Sequence, residues 1–142
     1  MSKNKTSADK PTVELLENAI GELEKALARP KEDQEDDQLR AGLIKYFEFT
    51  YEQSWKDLRR YLEYASPNPD EFKGMSFPDL IRTGNEQGLL LGDWSDWHKF
   101  REMRNETSHT YDLDKALKVA KGIPRFYEEA IYLRDQLRQR LK

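Results

Sequence analysis

The stretch Leu43-Ile-Lys-Tyr-Phe-Glu-Phe-Thr-Tyr-Glu-Gln-Ser-Trp-Lys-Asp-Leu-Arg-Arg-Tyr-Leu62 decides the fold. Leu43 or Ile44, Phe47, Tyr51, Trp55, Leu58 and Leu62 recur at the period that places side chains on one face of an α-helix. Tyr46, Phe49 and Tyr61 add apolar surface beside that face. The spacing therefore predicts a long helix buried on more than one side, with Phe47 and Trp55 in the core. No stretch alternates with period two, so other helices must cover it. The expectation is an all-α, up-and-down bundle of four to five helices with short connections.

Towards the N-terminus, Thr12 is a candidate cap, and Val13, Leu16, Ile20, Leu23 and Leu27 form a single apolar stripe that ends before Pro30. Residues 1–11 are polar, carry three lysines and show no periodicity, which reads as a disordered leader outside a single domain at 12–142. Lys31 to Asp37 is a charged linker or the start of the long helix. Towards the C-terminus, Ser66-Pro-Asn-Pro-Asp stops the long helix. A shorter helix opens at Ser76 with Pro78 in its first turn and ends at Gly88 or Gly92. Asp93 can cap the next helix, which carries Trp94, Trp97, Phe100 or Arg101, and Met103 or Arg104, and Asp112 can cap the last. Gly122 and Pro124 are expected to interrupt that last helix before Phe126, Ala130, Leu133, Leu137 and Leu141 resume a stripe.

At 142 residues the chain is long enough to bury one core without covalent staples. It has no cysteine, which excludes a disulfide framework, thiolate catalysis and cysteine zinc sites and fits a reducing cytoplasm. No apolar run approaches the roughly 18 residues of a membrane span. The formal net charge of −3 conceals an asymmetry: residues 99–142 hold 11 Lys+Arg against 7 Asp+Glu, leaving 13 against 20 for the rest. That polarity permits a nucleic-acid phosphate to approach one face, although charged outer faces of helices give the same count. Neither a metal nor an organic cofactor is expected: two histidines without cysteine make no metal set, and there is no Gly-rich phosphate loop.

The segment suited to chemistry is Arg104-Asn-Glu-Thr-Ser-His109-Thr-Tyr111. On a continuous helix Arg104 and His109 would lie roughly 140° apart around the axis. They can converge only if the helix ends between them, and Asn105, Thr107 and Ser108 are residue types that favour caps and turns. A histidine exchanges protons near neutrality, and a guanidinium holds phosphate oxygens with planar donors. Together they suit cleavage of an RNA phosphodiester, in which the 2′-hydroxyl is the nucleophile and the protein supplies a base, an acid and a cation. One histidine per motif falls short by half. A two-fold axis beside the motif would bring two copies of each residue into one cleft.

The string Arg104-Asn105-x-x-Ser108-His109-x-Tyr111 resembles the signature of the HEPN family and, through Tyr111, its HepT-type toxins. Lys45-Tyr-Phe-Glu-Phe-Thr-Tyr-Glu-Gln-Ser-Trp-Lys56 is similar to the aromatic-acidic helix of nucleotidyltransferase substrate-binding subunits, and the likeness extends over most of residues 13–141. The resemblance implies a homodimeric bundle that works beside a small nucleotidyltransferase. In the toxin form Arg104 and His109 make a metal-independent endoribonuclease centre acting on RNA, Asn105 supports it, and the partner adenylylates Tyr111 to silence it. Glu48 and Glu52, four apart on the long helix, are candidate contacts to a nucleotide or to the partner. The alternatives are a non-catalytic substrate-binding subunit of a two-component nucleotidyltransferase, and a helical adaptor in which the motif only steadies the dimer. His98, between Trp97 and Lys99, reads as a surface or interface residue.

Overall fold

The computed structural model describes residues 10–142, the side chain of Gln34 excepted, so residues 1–9 of the expected leader lie outside the described residues. Six α-helices follow in order: α1 (Glu14–Leu27), α2 (Asp37–Ala65), α3 (Asp70–Lys73), α4 (Phe77–Glu86), α5 (Trp94–Glu106) and α6 (Leu113–Arg140). Short 3₁₀ turns at Lys31–Glu35 and Thr107–His109 precede α2 and α6, and the described residues contain no strand. Helices α1, α2, α5 and α6 form the bundle, with α2 packed on both α1 and α6 and with α5 lying against α6. The chain is all-α, as its periodicity predicts. The single turn α3, between the proline stop and Ser76, is an addition that no apolar stripe announced.

The caps lie where polar residues precede each stripe. The Thr12 hydroxyl accepts the Glu14 N–H at 3.0 Å, Asp36 accepts Gln38 and Leu39, and Ser76 accepts Asp79. Asp93 and Asp96 cap each other's backbone in a reciprocal box. Gly88, at φ +77°, closes α4 by letting the Leu89 N–H reach the Gly84 carbonyl at 2.9 Å.

The core is built on an aromatic cluster. Phe126 meets Phe47 and Phe100 edge-on at 5.1 and 5.2 Å, and Trp97 meets Phe100 at 5.4 Å. Leu16, Ile20, Leu23, Leu58, Leu62, Ile123 and Leu133 complete the buried stripes of the bundle. Helix α2 is buried on more than one side, but partly through polar residues: the Thr50 and Ser54 hydroxyls each donate to the carbonyl four residues back at 2.7 Å.

Three expectations are corrected. First, α6 runs unbroken through Gly122 and Pro124. An internal proline removes one hydrogen bond and crowds the preceding turn, a cost of about 3 kcal/mol. Burial of Val119, Ile123, Phe126 and Leu133 around it offsets that cost at roughly 1.5–3 kcal/mol per side chain. Gly122 is a close-approach site rather than a stop: a Cβ there would stand 2.8 Å from Met103 Sδ of α5. Second, Trp55 is only partly buried and packs at the edge of the core, whereas Phe47 is fully buried. Third, Phe49 points outward and is 66 % exposed.

Candidate functional site

The site begins at the joint between α4 and α5. Glu129 of α6, wholly buried, accepts the Leu91 and Gly92 N–H groups at 2.8 Å on separate oxygens and has Arg125 at 3.5 Å. Burial raises its carboxyl above the usual range, while the two amides and Arg125 pull it down. This clamp fixes the start of α5. The contact of Met103 with Gly122 then holds the far end of α5 against α6.

Helix α5 stops at Glu106 because hydroxyl side chains take the carbonyls that a helix end leaves unpaired. Ser108 Oγ donates to the Asn105 carbonyl at 3.1 Å and Thr110 Oγ1 to that of Thr107 at 3.4 Å. The chain turns through Thr107–His109, and Asp112 opens α6 by accepting the N–H groups of Asp114 and Lys115. The helix therefore ends between Arg104 and His109, as their residue types predict.

Arg104 reaches across to α2. Its Nε donates to Glu52 at 3.1 Å and its Nη1 to Glu48 at 3.2 Å. Nη1 also donates to the Thr107 hydroxyl at 2.9 Å, and that hydroxyl lies 2.6 Å from Glu48. The four groups are a half-buried network in which two carboxylates hold one guanidinium through Nε and Nη1 and leave its Nη2 edge for another acceptor. Glu48 and Glu52, candidates for contact with a nucleotide or with the partner, are thus engaged by Arg104 of their own chain. Thr107, buried at 7 % exposure, is the member that the sequence marks only as a residue favouring a helix end and not as a partner of Arg104 and Glu48. Its only signal is a β-branched hydroxyl three residues after Arg104, where a helix end brings it back over the preceding turn.

Beyond the network the motif is open to solvent. His109 is exposed and meets the ring of Tyr111 edge-on at 6.1 Å. Tyr111 is 86 % exposed, and Leu113 and Leu117 of α6 continue an apolar strip beside it. Asn105 and Arg104 border a groove of about 410 Å³ whose other walls are Tyr51, Glu52, Trp55 and Arg59 of α2, Phe77 of α4 and Arg101 of α5. Burial, with Glu52 alongside, pushes the Tyr51 hydroxyl far above its ordinary range, so it stays protonated. Tyr111 lines a different hollow, with Asp37, Arg40 and Ile44. His98 is exposed, meets Trp94 edge-on at 5.6 Å, and takes no part in the network.

In chemical terms the site offers a cation in a fixed position, an accessible imidazole, and an exposed phenol two residues beyond it. No helix of the described residues is long and apolar enough to cross a membrane.

Comparison with known proteins agrees with this architecture. The family model for nucleotidyltransferase substrate binding protein-like chains matches residues 12–139. A Haemophilus influenzae protein named probable ribonuclease HepT is 45 % identical over 104 residues, which span 73 % of this chain and 70 % of that one. A solved structure from the same organism, described as revealing the fold of a substrate-binding domain of a nucleotidyltransferase, superposes with a TM-score of 0.80 at 37 % identity. That match covers 89 % of this chain and 99 % of the other. With the match spanning nearly the whole bundle, including the helix that holds Arg104 and the helix that receives it, this chain belongs to the nucleotidyltransferase substrate-binding protein-like family, with HepT-like HEPN bundles as its relatives.

Proposed function

We propose that this protein is a HEPN-type toxin, a metal-independent endoribonuclease that works as a homodimer in the cytoplasm and is silenced when a cognate nucleotidyltransferase adenylylates Tyr111. The observation that carries the reading is the ending of α5 at Glu106. It frees His109 and Tyr111 to the surface in a tight turn, five and seven residues after a guanidinium already held in place by Glu48 and Glu52. The relative named probable ribonuclease HepT supports the same reading.

In the proposed reaction the imidazole of one His109 takes the proton of the RNA 2′-hydroxyl as its oxygen attacks phosphorus. The other His109 of the dimer protonates the departing 5′-oxygen, leaving a cyclic 2′,3′-phosphate and a free 5′-hydroxyl. Arg104 offers its Nη2 edge to the charge that grows on the phosphoryl oxygens. Asn105, exposed on the last turn of α5, is the residue that steadies a neighbouring phosphate or sugar in this reading. Exposed Leu113 and Leu117 supply apolar surface that seats a second copy beside the motif, with Tyr111 left accessible at its margin. Adenylylation of a phenol so near His109 would add a negative phosphodiester and a bulky base where substrate phosphate must lie.

A second reading is a non-catalytic subunit that presents substrate to the nucleotidyltransferase. It is favoured by the neutralisation of Arg104 by two carboxylates and by the substrate-binding description of the solved relative. Purified protein bearing unmodified Tyr111 is expected to cleave total and transfer RNA in EDTA, and His109→Ala and Arg104→Ala are expected to abolish cleavage without unfolding. Absence of cleavage by the wild-type protein would overturn the ribonuclease reading in favour of the substrate-binding one.

A further inference from the structure

The groove between α2 and α5 has a composition that the Arg104–His109 chemistry does not require. Tyr51, Trp55 and Arg59 succeed one another at four-residue intervals along one face of α2, and Arg101 stands one turn before Arg104 on α5. Trp55 is an edge residue whose ring has Lys56 and Arg59 at 5.8 and 5.9 Å and meets Phe77 edge-on at 6.2 Å. Arg101 is exposed, with its guanidinium 5.3 Å from the centre of the Phe77 ring. Among the described residues, none of Lys56, Arg59 and Arg101 has a carboxylate within ion-pair distance, and Glu52, the one acid on the groove wall, is already engaged by Arg104. Arg59 also braces the groove: its Nη1 donates to the Phe72, Lys73 and Met75 carbonyls, which ties the α3–α4 connection down beside Trp55. A groove of about 410 Å³ falls in the range of roughly 300–1,000 Å³ that suits a small ligand or a single residue of a polymer.

We propose that this groove is a nucleotide subsite for single-stranded RNA, in which a base stacks on Trp55 and the phosphate next to the scissile one is held by Arg101. Aromatic platforms beside unpaired cations are how single strands are bound without sequence readout. Arg104 and Asn105 are themselves part of the groove wall, so a phosphate held at Arg104 borders the groove and its neighbouring nucleotide has Trp55 and Arg101 on the same lining. The proposal rests on the reading that Arg104 and His109 contact RNA. It adds where the flanking nucleotide lies and assigns Trp55 and Arg101 to binding rather than to packing and solvation.

The test is fluorescence anisotropy of a 5′-labelled, unstructured ten-nucleotide RNA with the full-length His109→Ala protein as the reference, so that cleavage does not intervene. Adding Trp55→Ala should weaken binding by roughly 5- to 100-fold, and Trp55→Phe should restore most of it. Adding Arg101→Gln, at an exposed position outside the core, should weaken binding and lower the salt dependence by about 0.7 in the log–log slope, as for one lost phosphate contact on a single strand. Affinity equal to the reference in both Arg101→Gln and Trp55→Ala overturns the proposal, and so does failure of the reference to bind RNA. Binding of AMP but not of the RNA, with the same dependence on Trp55, also overturns it and assigns the groove to a mononucleotide. Failure of the ribonuclease reading is seen separately, as wild-type protein that binds the RNA in a Trp55-dependent way and leaves it uncut.

Discussion

Arg104 is held by two carboxylates while it is also the cation on which the proposed chemistry depends. Two negative charges fix its direction but also oppose an approaching phosphate. The pairs are about one-third exposed, so water screens them, and the opposition is modest. Glu48→Gln keeps an acceptor for Nη1 and for the Thr107 hydroxyl while removing one negative charge. Its expected outcome is RNA binding tighter by about 2- to 10-fold at low ionic strength, a gain that fades as the Debye length shrinks below roughly 10 Å. Anisotropy titrations across a salt series check this, and weaker binding at every salt concentration would mean that the carboxylate itself is needed at the site. The Arg104–Glu48 contact joins residues 56 apart in sequence, and no local rule pairs them. Four-residue spacing puts Glu48 and Glu52 on one face of α2; it does not say that this face meets α5.

At the scale of elements, the joint between α4 and α5 sets where the motif stands. Gly92 donates to Glu129 while its Cα faces the capping carboxylate, so an added Cβ would lie 2.6 Å from Asp96 Oδ2 and 2.8 Å from Glu129 Oε1. Neither neighbour can give way without breaking a hydrogen bond: Asp96 closes the box on Asp93, and Glu129 is buried among its donors. Gly92→Ala is therefore expected to lower unfolding free energy by about 1–3 kcal/mol, the usual cost of forcing atoms into a filled space. Urea unfolding measures it, and an unchanged midpoint would show that the clamp tolerates displacement. Caps are legible at this scale because they are local: Thr12, Ser76, Asp93 and Asp112 each serve backbone within three residues. Pro124 reads wrongly as a break for the complementary reason, since its cost is local but the burial that outweighs it comes from other helices.

For the whole molecule, stability depends on pH through carboxyls that burial disfavours as anions. Asp57, 3 % exposed, receives Gln53 and Arg60 on one oxygen, and its other oxygen has no partner among the described residues. Burial raises its pKa above the ordinary 3.8, against the smaller downward pulls of Gln53 and Arg60. Below the ordinary value both folded and unfolded chains hold this proton. As pH rises from there through the folded-state pKa, the unfolded chain releases it first, and stability is lost across that window. Glu129 contributes in the same direction. The difference in unfolding free energy between wild type and Asp57→Asn should accordingly shift against wild type as pH rises from about 4 to 7, as followed by urea unfolding at each pH. A shift in favour of wild type would mean that its hydrogen bonds outweigh its desolvation.

Helix content, the order of the main helices, most of their caps and the burial of Phe47, Leu58 and Phe126 were determined by the sequence alone, because periodicity and capping act over one or two turns. The segment Arg104–Tyr111 was also legible as a helix end, since its hydroxyl and amide side chains compete for backbone groups wherever they occur. Tertiary structure decided the rest. It carried α6 through Pro124, moved Trp55 from the core to a groove wall, turned Phe49 outward, and joined Glu48 and Glu52 to Arg104 through Thr107. Each of these depends on which helix lies opposite, a choice made by the packing of all the apolar stripes together and written in no single one of them.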